Sequence, residues 1–432
     1  MRIARAWLID PQRNSLYGVA AMTLSVFVFA YSTIFGPISI LAYYALWLPL
    51  IFVDYRKVLG SVVLAPWIVA FVAVALLSTF WSDAFSTTAR ASVQFATHAL
   101  CALIAVNTLS VRNLTRGIVI GVALVLVYSF LFGHYSYDAL DGTYSFVGAF
   151  SSKNQLGLYA SLGVYFGLAA VFILGERGLW RIGCLAGVLF SAYGMVASQS
   201  ATSILATAAT VLVTYGLRVL LAFRPSHRRV ILIVAILAVA ALVPVLAGAG
   251  FADAVLGIFG KDSTLTGRTY LWAQGIAAGN QNPLGGTGYY AYWVQGFPEA
   301  ERLWYEFYIA TRTGFHFHNT YIELYVELGF IGLLVMTFFL YRTLFGHLGA
   351  MTRDAHNPTA HLMFGLVTMF VIRSFVEIDI ITPYTIGAFL MFYAAGLLVK
   401  RRRASAGAQA AAAKTARRGP HSGESEAAAP AR

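Results

Sequence analysis

Apolar runs close to twenty residues long follow one another along almost the whole chain, and no other feature constrains its fold as much. About twenty such residues, wound as a helix, cross the hydrocarbon core of a bilayer. The runs fall at about 15–35, 36–53, 60–80, 91–110, 117–133, 154–174, 182–198, 201–222, 229–250, 319–341, 359–378 and 380–399. Of the 432 residues 59% are hydrophobic and only 11% are charged, against about 25% charged in an ordinary soluble domain. So few charges cannot solvate a surface of this size, and lipid must cover most of it. The sequence predicts an all-α polytopic membrane protein with about twelve transmembrane helices.

The formal net charge of +12 invites a nucleic-acid reading, which its distribution excludes. Lysine and arginine collect on the cytoplasmic side of membrane proteins. With the N-terminus inside, only Arg90, Lys153, Lys261, Arg268, Arg302, Arg312 and Arg373 of the 30 basic residues remain outside or near it. Both termini are therefore expected in the cytoplasm. The basic Met1–Asn14 segment leads into an apolar run without a small-residue cleavage site, which reads as a retained signal anchor. Cys101 and Cys184 both sit inside apolar runs, which argues against a disulfide or metal framework. Residues 1–403 read as one membrane-embedded domain. The Ala-rich tail, 404–432, lacks bulky apolar residues and is expected to be disordered.

Two segments on the outer side stand out. One is the loop around 134–153. The other runs from about 251 to 318, too long for a plain connection and so expected to be functional. Within it, Pro298, Glu299 and Glu301 open a short helix, with proline in its first turn and carboxylates near its positive end. Trp304, Tyr305, Phe307 and Tyr308 then suit a membrane interface.

Charges within or beside membrane spans are costly, which makes them functional candidates, and here they collect at the outer ends. Arg90, Gln94 and His98 are spaced i, i+4, i+8 and form one polar stripe down the fourth span; His98 alone reads equally as a satisfied core histidine. Ser151, Ser152, Lys153, Asn154 and Gln155 precede the sixth span, and Ser198 to Thr202 separate the seventh from the eighth. Capping explains the serines and Thr202; Lys153 is a cap or interface residue, or an anion ligand. In the large loop, Gly285, Gly286 and Gly288 permit either turns or close backbone approach to a ligand. Arg268 carries more weight, because a guanidinium holds a phosphate by two parallel hydrogen bonds. Beyond His318, the residues Asn319, Glu323 and Glu327 share one face of the tenth span, and Gly329 and Gly332 allow close packing. Arg373 and Glu377, at i, i+4, read as a structural ion pair.

A few cations, one histidine and two glutamates around an outward-facing cavity suit a lipid-linked anionic substrate. A transporter would need polar sites near the midplane, a depth that only His98 approaches.

Thr266-Gly267-Arg268 with Leu271-Trp272, Pro283-Leu284-Gly285 with Gly288-Tyr289, and His318-Asn319 with Glu327-Leu328-Gly329 and Gly332 resemble the O-antigen ligase superfamily, which includes exopolysaccharide and O-antigen polymerases. Trp81-Ser82 with Arg90, Lys153-Asn154 with Gly157, and Ser198 with Ser200 look like its other recurring features. The resemblance covers roughly residues 75–400, and the loop is closer in feel to exopolysaccharide polymerases. It implies a metal-independent, membrane-embedded C-type glycosyltransferase with no cofactor. Such an enzyme moves a glycan from undecaprenyl diphosphate to an acceptor sugar hydroxyl at the periplasmic face of the inner membrane, alongside other polysaccharide-assembly membrane proteins. The acceptor is a growing glycan or, for a ligase, lipid A–core. On this reading Arg90, Lys153, Arg268 and Arg373 hold the donor diphosphate. His318, Arg268 and Glu323 carry the chemistry, His318 as base or orienting group, and Asn319, Tyr289 and Glu327 contact the acceptor glycan. The rival outside the class is a polysaccharide or lipid-linked oligosaccharide transporter without chemistry.

Overall fold

The computed structural model describes residues 4–417 except 61, 139–142, 225–226, 229, 236, 239–240, 242–256 and 258–266, with backbone alone for 64, 138, 143 and 402–417. Seven of the described helices are long and apolar enough to cross a membrane: Ser15–Phe35, Phe85–Thr108, Val111–Phe132, Lys153–Phe172, Gly178–Ala197, Ala201–Leu220 and Thr320–Arg353. Each overlaps an expected span, as a multi-pass membrane protein requires. The expected spans at 36–53 and 60–80 are shorter and broken. Pro37–Trp47 is followed by Leu50–Val53, and Pro66–Leu77 runs into the 3₁₀ turn Ser78–Phe80. Prolines at 37, 49 and 66 account for the breaks, because each lacks an N–H and so starts rather than continues a helix. The last two expected spans correspond to Pro358–Ser374 and Ile386–Arg417. The span expected at 229–250, together with residues 251–256 and 258–266 of the large loop, falls largely outside the described residues.

One expectation is corrected. The loop at 134–153 contains a two-stranded antiparallel sheet, His134–Asp138 with Thr143–Gly148, so the fold is helical with one small hairpin. Tyr135, Tyr137, Tyr144 and Phe146 alternate with serine there, the period of a strand rather than a helix. The last helix runs on as far as Arg417; alanine and lysine are strong helix formers.

Polar residues at the span ends act as caps. Ser152 accepts from the Gln155 amide, Ser200 from Ser203, and Asn319 from Tyr321 and Ile322. Each satisfies a backbone donor that the first turn leaves without a helical partner.

The long helix Thr320–Arg353 is interrupted at Gly329, where φ is 59°. That break removes the helical bonds from Phe330 to Val326 and from Ile331 to Glu327. The glycine-rich loop replaces both. Thr287 and Gly288 donate to the carbonyls of Val326 and Glu327 at 3.0 and 2.8 Å, while Phe330 and Ile331 donate to Pro283 and Leu284 at 2.7 and 3.4 Å. Backbone polar groups at membrane depth need such partners, since lipid offers none. The approach is tight: a Cβ on Gly286 would lie 2.4 Å from the Glu327 carbonyl carbon, and one on Gly329 would lie 2.3 Å from that of Leu284. Trp81 pins the same loop by donating from its indole to the Gly285 carbonyl at 2.9 Å. The glycine-rich loop is thereby fixed to the helix that His318 precedes.

Candidate active site

Four separate segments meet at Glu377. This residue follows the Pro358–Ser374 helix, and only 5% of its surface is exposed. Its Oε1 accepts from Asn154 Nδ2 at 2.8 Å and from Arg268 at 3.2 Å. Its Oε2 lies 3.6 Å from His318 Nδ1. Arg268, the first residue of the Arg268–Gly279 helix, also donates to the Val376 carbonyl at 2.9 Å. Thr320 donates to the Glu377 carbonyl at 2.6 Å, and Asn319 to that of Phe375 at 3.0 Å. Burial pushes the Glu377 carboxyl up, but the His318 hydrogen bond and the charges of His318, Arg268 and Arg373 outweigh it. They hold the group well below the usual carboxylate range, so it is an anion at neutral pH.

His318 is itself held in an unusual posture. Its φ of 52° lies in the left-handed region, which non-glycine residues occupy at some cost. Its amide donates to His316 Nδ1 at 3.0 Å, and the preceding Phe317 amide donates to Glu323 Oε2 at 2.7 Å. Glu323 Oε1 accepts from the Trp293 indole at 2.9 Å. Glu323 thus spends both oxygens inside the protein, fixing the strand of loop that presents His318. Because His316 Nδ1 is an acceptor, its proton sits on Nε2. Burial, helped by the neighbouring His318 and Arg268, pushes the His316 imidazole well down and keeps it neutral.

His316, His318 and Glu377 place one possible ligand atom each within 4.8 Å of one another. The chemistry of that set opposes a cation. Arg268 already sets a positive charge against Glu377, and His316 Nδ1 is spent on a backbone amide.

The other sequence candidates fall into two groups. Lys153 opens the helix that carries Asn154, with Nζ 3.4 Å from Ser145 Oγ. Arg373 pairs with Asp379 through Nε and through a second contact at 3.3 Å, and donates to Ser203 Oγ at 3.2 Å. The expected i, i+4 pair with Glu377 is therefore replaced: the helix ends at Ser374, which takes Glu377 off its face and towards Arg268. Ser200 donates to Asn154 Oδ1 at 2.8 Å and contacts Ser203 at 3.0 Å, so the Arg373 and Glu377 clusters join through two serines. Arg90 is exposed on the Phe85–Thr108 helix. His98, at the foot of its stripe, is a satisfied core histidine between Tyr43 and the Thr385 carbonyl, both at 3.0 Å. Tyr289 is buried in the main core, its hydroxyl donating to Ile381. The Glu327 side chain is buried beneath the glycine loop. Of the expected interface aromatics, Trp304 is instead buried in a small core with Leu271, Tyr292, Leu303 and Phe317, whereas Tyr305 and Tyr308 are exposed.

His316 and Asp379 escaped the sequence reading. Their signals were faint: a Phe-His-Phe-His run, and an acid two residues beyond Glu377 in an apolar stretch.

Residues 186–337 match the family model described as O-Antigen ligase, a stretch that contains Arg268 and His318. Over 409 residues, 94% of this chain and 94% of the relative, the sequence is 55% identical to the exopolysaccharide production protein ExoQ of Rhizobium meliloti (strain 1021).

Proposed function

The chain belongs to the O-antigen ligase family, and from that premise we propose that it is a polysaccharide polymerase using an undecaprenyl-diphosphate-linked donor at the periplasmic face. The observation that carries the reading is the shared carboxylate: Glu377 holds Arg268 on one oxygen and faces His318 with the other. An anion-binding group and a base then stand side by side.

In this reading the acceptor hydroxyl oxygen forms a bond to the anomeric carbon of the donor sugar, and the bond from that carbon to the diphosphate oxygen breaks. The hydroxyl proton passes to His318 Nε2, while Nδ1 faces Glu377. A positioned base of this kind contributes about 10²–10⁴-fold. Arg268 stabilises the charge that develops on the leaving diphosphate, the main electrostatic help such a step needs, and no metal is required. Arg90 and Lys153 extend the donor site towards the membrane surface. Arg373 contributes through its field and through the serine link rather than by direct contact. Asn319 and Glu323 position His318. The twelve-span topology with both termini cytoplasmic, in the inner membrane, belongs to the same proposal.

The relative's name, an exopolysaccharide production protein, favours polymerisation; the family model's description, a ligase, favours transfer to lipid A–core as the second reading. Purified protein incubated with a polyprenyl-diphosphate repeat unit, alone and with lipid A–core, separates them. A polymerase extends the repeat unit on its own. A ligase needs the lipid A–core, and a transporter yields no product with either.

A further inference from the structure

Two donors reach Glu377 Oε1, the Arg268 guanidinium at 3.2 Å and the Asn154 amide at 2.8 Å. A guanidinium beside a carboxylate favours two parallel bonds, one to each oxygen. Arg268 makes a single one, and its other terminal nitrogen donates to the Val376 carbonyl at 2.9 Å. Oε2 is left to face His318 Nδ1 at 3.6 Å. We propose that Asn154 is a positioning residue: oriented by the Ser200 hydroxyl, its amide holds Oε1 and keeps Oε2 aimed at His318.

Proton counting fixes which way the amide lies. An ionised carboxylate only accepts, so the Asn154 atom that meets Glu377 is Nδ2. That leaves Oδ1, which has no proton to give, against Ser200 Oγ at 2.8 Å, and the Ser200 proton goes to it. A lone pair of the same hydroxyl accepts from the Ser203 amide at 3.3 Å and caps the Ala201–Leu220 helix. Cap and orienting donor thus use different parts of one side chain. Ser200 is 1% exposed, so water does not compete for its proton. Behind it, Ser203 Oγ lies 3.0 Å from Ser200 Oγ and accepts from Arg373 at 3.2 Å. Gly157, one turn past Asn154, permits this approach. A Cβ there would stand 2.2 Å from Ser203 Oγ and 3.0 Å from Ser200 Cβ, so a larger residue would hold the two helices apart.

Without the amide, Oε2 is free to turn onto Arg268, and His318 loses the anion that favours its protonated form. Asn154 and Ser200 are neutral, so alanine at either position removes no charge. The other ionisable groups around the pair are Arg268, His316, Glu323, Arg373, Asp379 and Lys153. All of them stay in place, so a change in the titration of His318 reports a moved Glu377. The effect on transfer rests on the polymerase reading, whereas the effect on His318 titration does not.

The test follows the His318 imidazole by NMR in the full chain, made with isotope-labelled histidine and held in phosphatidylcholine nanodiscs; His318→Gln identifies its resonance. Asn154→Ala and Ser200→Ala should each lower the titration midpoint by about one pH unit, a tenfold change in proton affinity. The double variant should lower it no further, because Ser200 acts through Asn154. Ser200→Thr keeps both the cap and the proton and should titrate as the native chain does. Asn154→Ala changes a half-buried side chain that caps nothing, which guards against a folding defect at Ser200. Single-turnover transfer at saturating donor should fall at least about tenfold in both alanine variants. Donor affinity should stay near native, because Arg268 keeps its bond to Val376. A midpoint or a transfer rate unchanged in Asn154→Ala, or effects that add in the double variant, would overturn the positioning role. Ser200→Thr shifted as far as Ser200→Ala would overturn the orienting role of the hydroxyl. Shifted midpoints with no product from the native enzyme would uphold the positioning and remove the polymerase reading.

Discussion

Arg268 and His318 lie 50 positions apart in the sequence and share one buried carboxylate: Glu377 accepts from Arg268 at 3.2 Å and stands 3.6 Å from His318 Nδ1. On the proposed reading, the cation that binds donor and the base that serves acceptor are linked through one group. Removing the carboxylate should disturb both, in ways that can be told apart.

The Glu377→Gln variant keeps the shape but not the charge. In the native protein Glu377 stays ionised far below neutrality, so it does not itself supply the acid limb of a transfer-rate profile against pH; on the proposed reading the base, His318, does. A negative neighbour favours the protonated imidazole. Without it, protonation of His318 requires more acid, and the acid limb should move to lower pH while the maximal rate falls. The measurement is single-turnover transfer across pH with saturating donor. An acid limb that stays in place would show that the carboxylate does not act on His318.

The same group bears on stability. Its folded-state value is depressed, so its contribution is present above the ordinary carboxylate range and is lost as pH falls through the folded value. Acid unfolding of Glu377→Gln should accordingly be less steep than that of the native chain, as followed by near-UV circular dichroism in detergent. Equal steepness would mean that the folded state does not hold this proton off.

Gly286→Ala and Gly329→Ala should both lower the thermal midpoint sharply. Each residue has positive φ, and each would set a Cβ against backbone at 2.3–2.4 Å, where no flexible side chain can yield. Strain of this kind costs on the order of 1–3 kcal/mol before any clash is counted. Gly296→Ala is the control, since its φ is also positive but nothing lies within 4 Å of an added Cβ. Thermal unfolding of the three variants checks the order; a Gly296 variant as unstable as the other two would remove the steric argument.

Reporter fusions after about residues 140 and 290 should report outside, and fusions near 57, 180, 226 and 410 inside. The bias of lysine and arginine to one side motivates this. An inside signal from the fusion at 290 would place the Glu377 cluster in the cytoplasm.

Much of the helical order was legible because apolar length is a local property, and the caps at Ser152 and Ser200 were legible for the same reason. Arg268 and His318 stood out as costly polar residues beside lipid. What joins them was not legible. Glu377 lies 223 positions from Asn154 and 109 from Arg268, and its local spacing pointed to Arg373 instead. That reading assumed a helix continuing past Ser374, and helix ends are set by tertiary partners as much as by propensity. The glycine run was read for turns or for approach to a ligand. Close approach does occur, but to the broken helix at Gly329, because the loop supplies the bonds that the break removes.

The central claim is that Arg268 serves the donor and His318 the acceptor. Donor binding and single-turnover transfer, measured on purified Arg268→Ala and His318→Ala variants with EDTA present throughout, test it most directly. Arg268→Ala should weaken donor binding by about 2–5 kcal/mol, as for one partner removed from a desolvated charge contact. His318→Ala should slow transfer by about 10²–10⁴-fold with donor affinity near normal, and the native enzyme should keep its activity in EDTA. A His318→Ala variant that loses donor binding yet keeps its turnover rate would contradict the assignment, and loss of native activity in EDTA would contradict the metal-free mechanism.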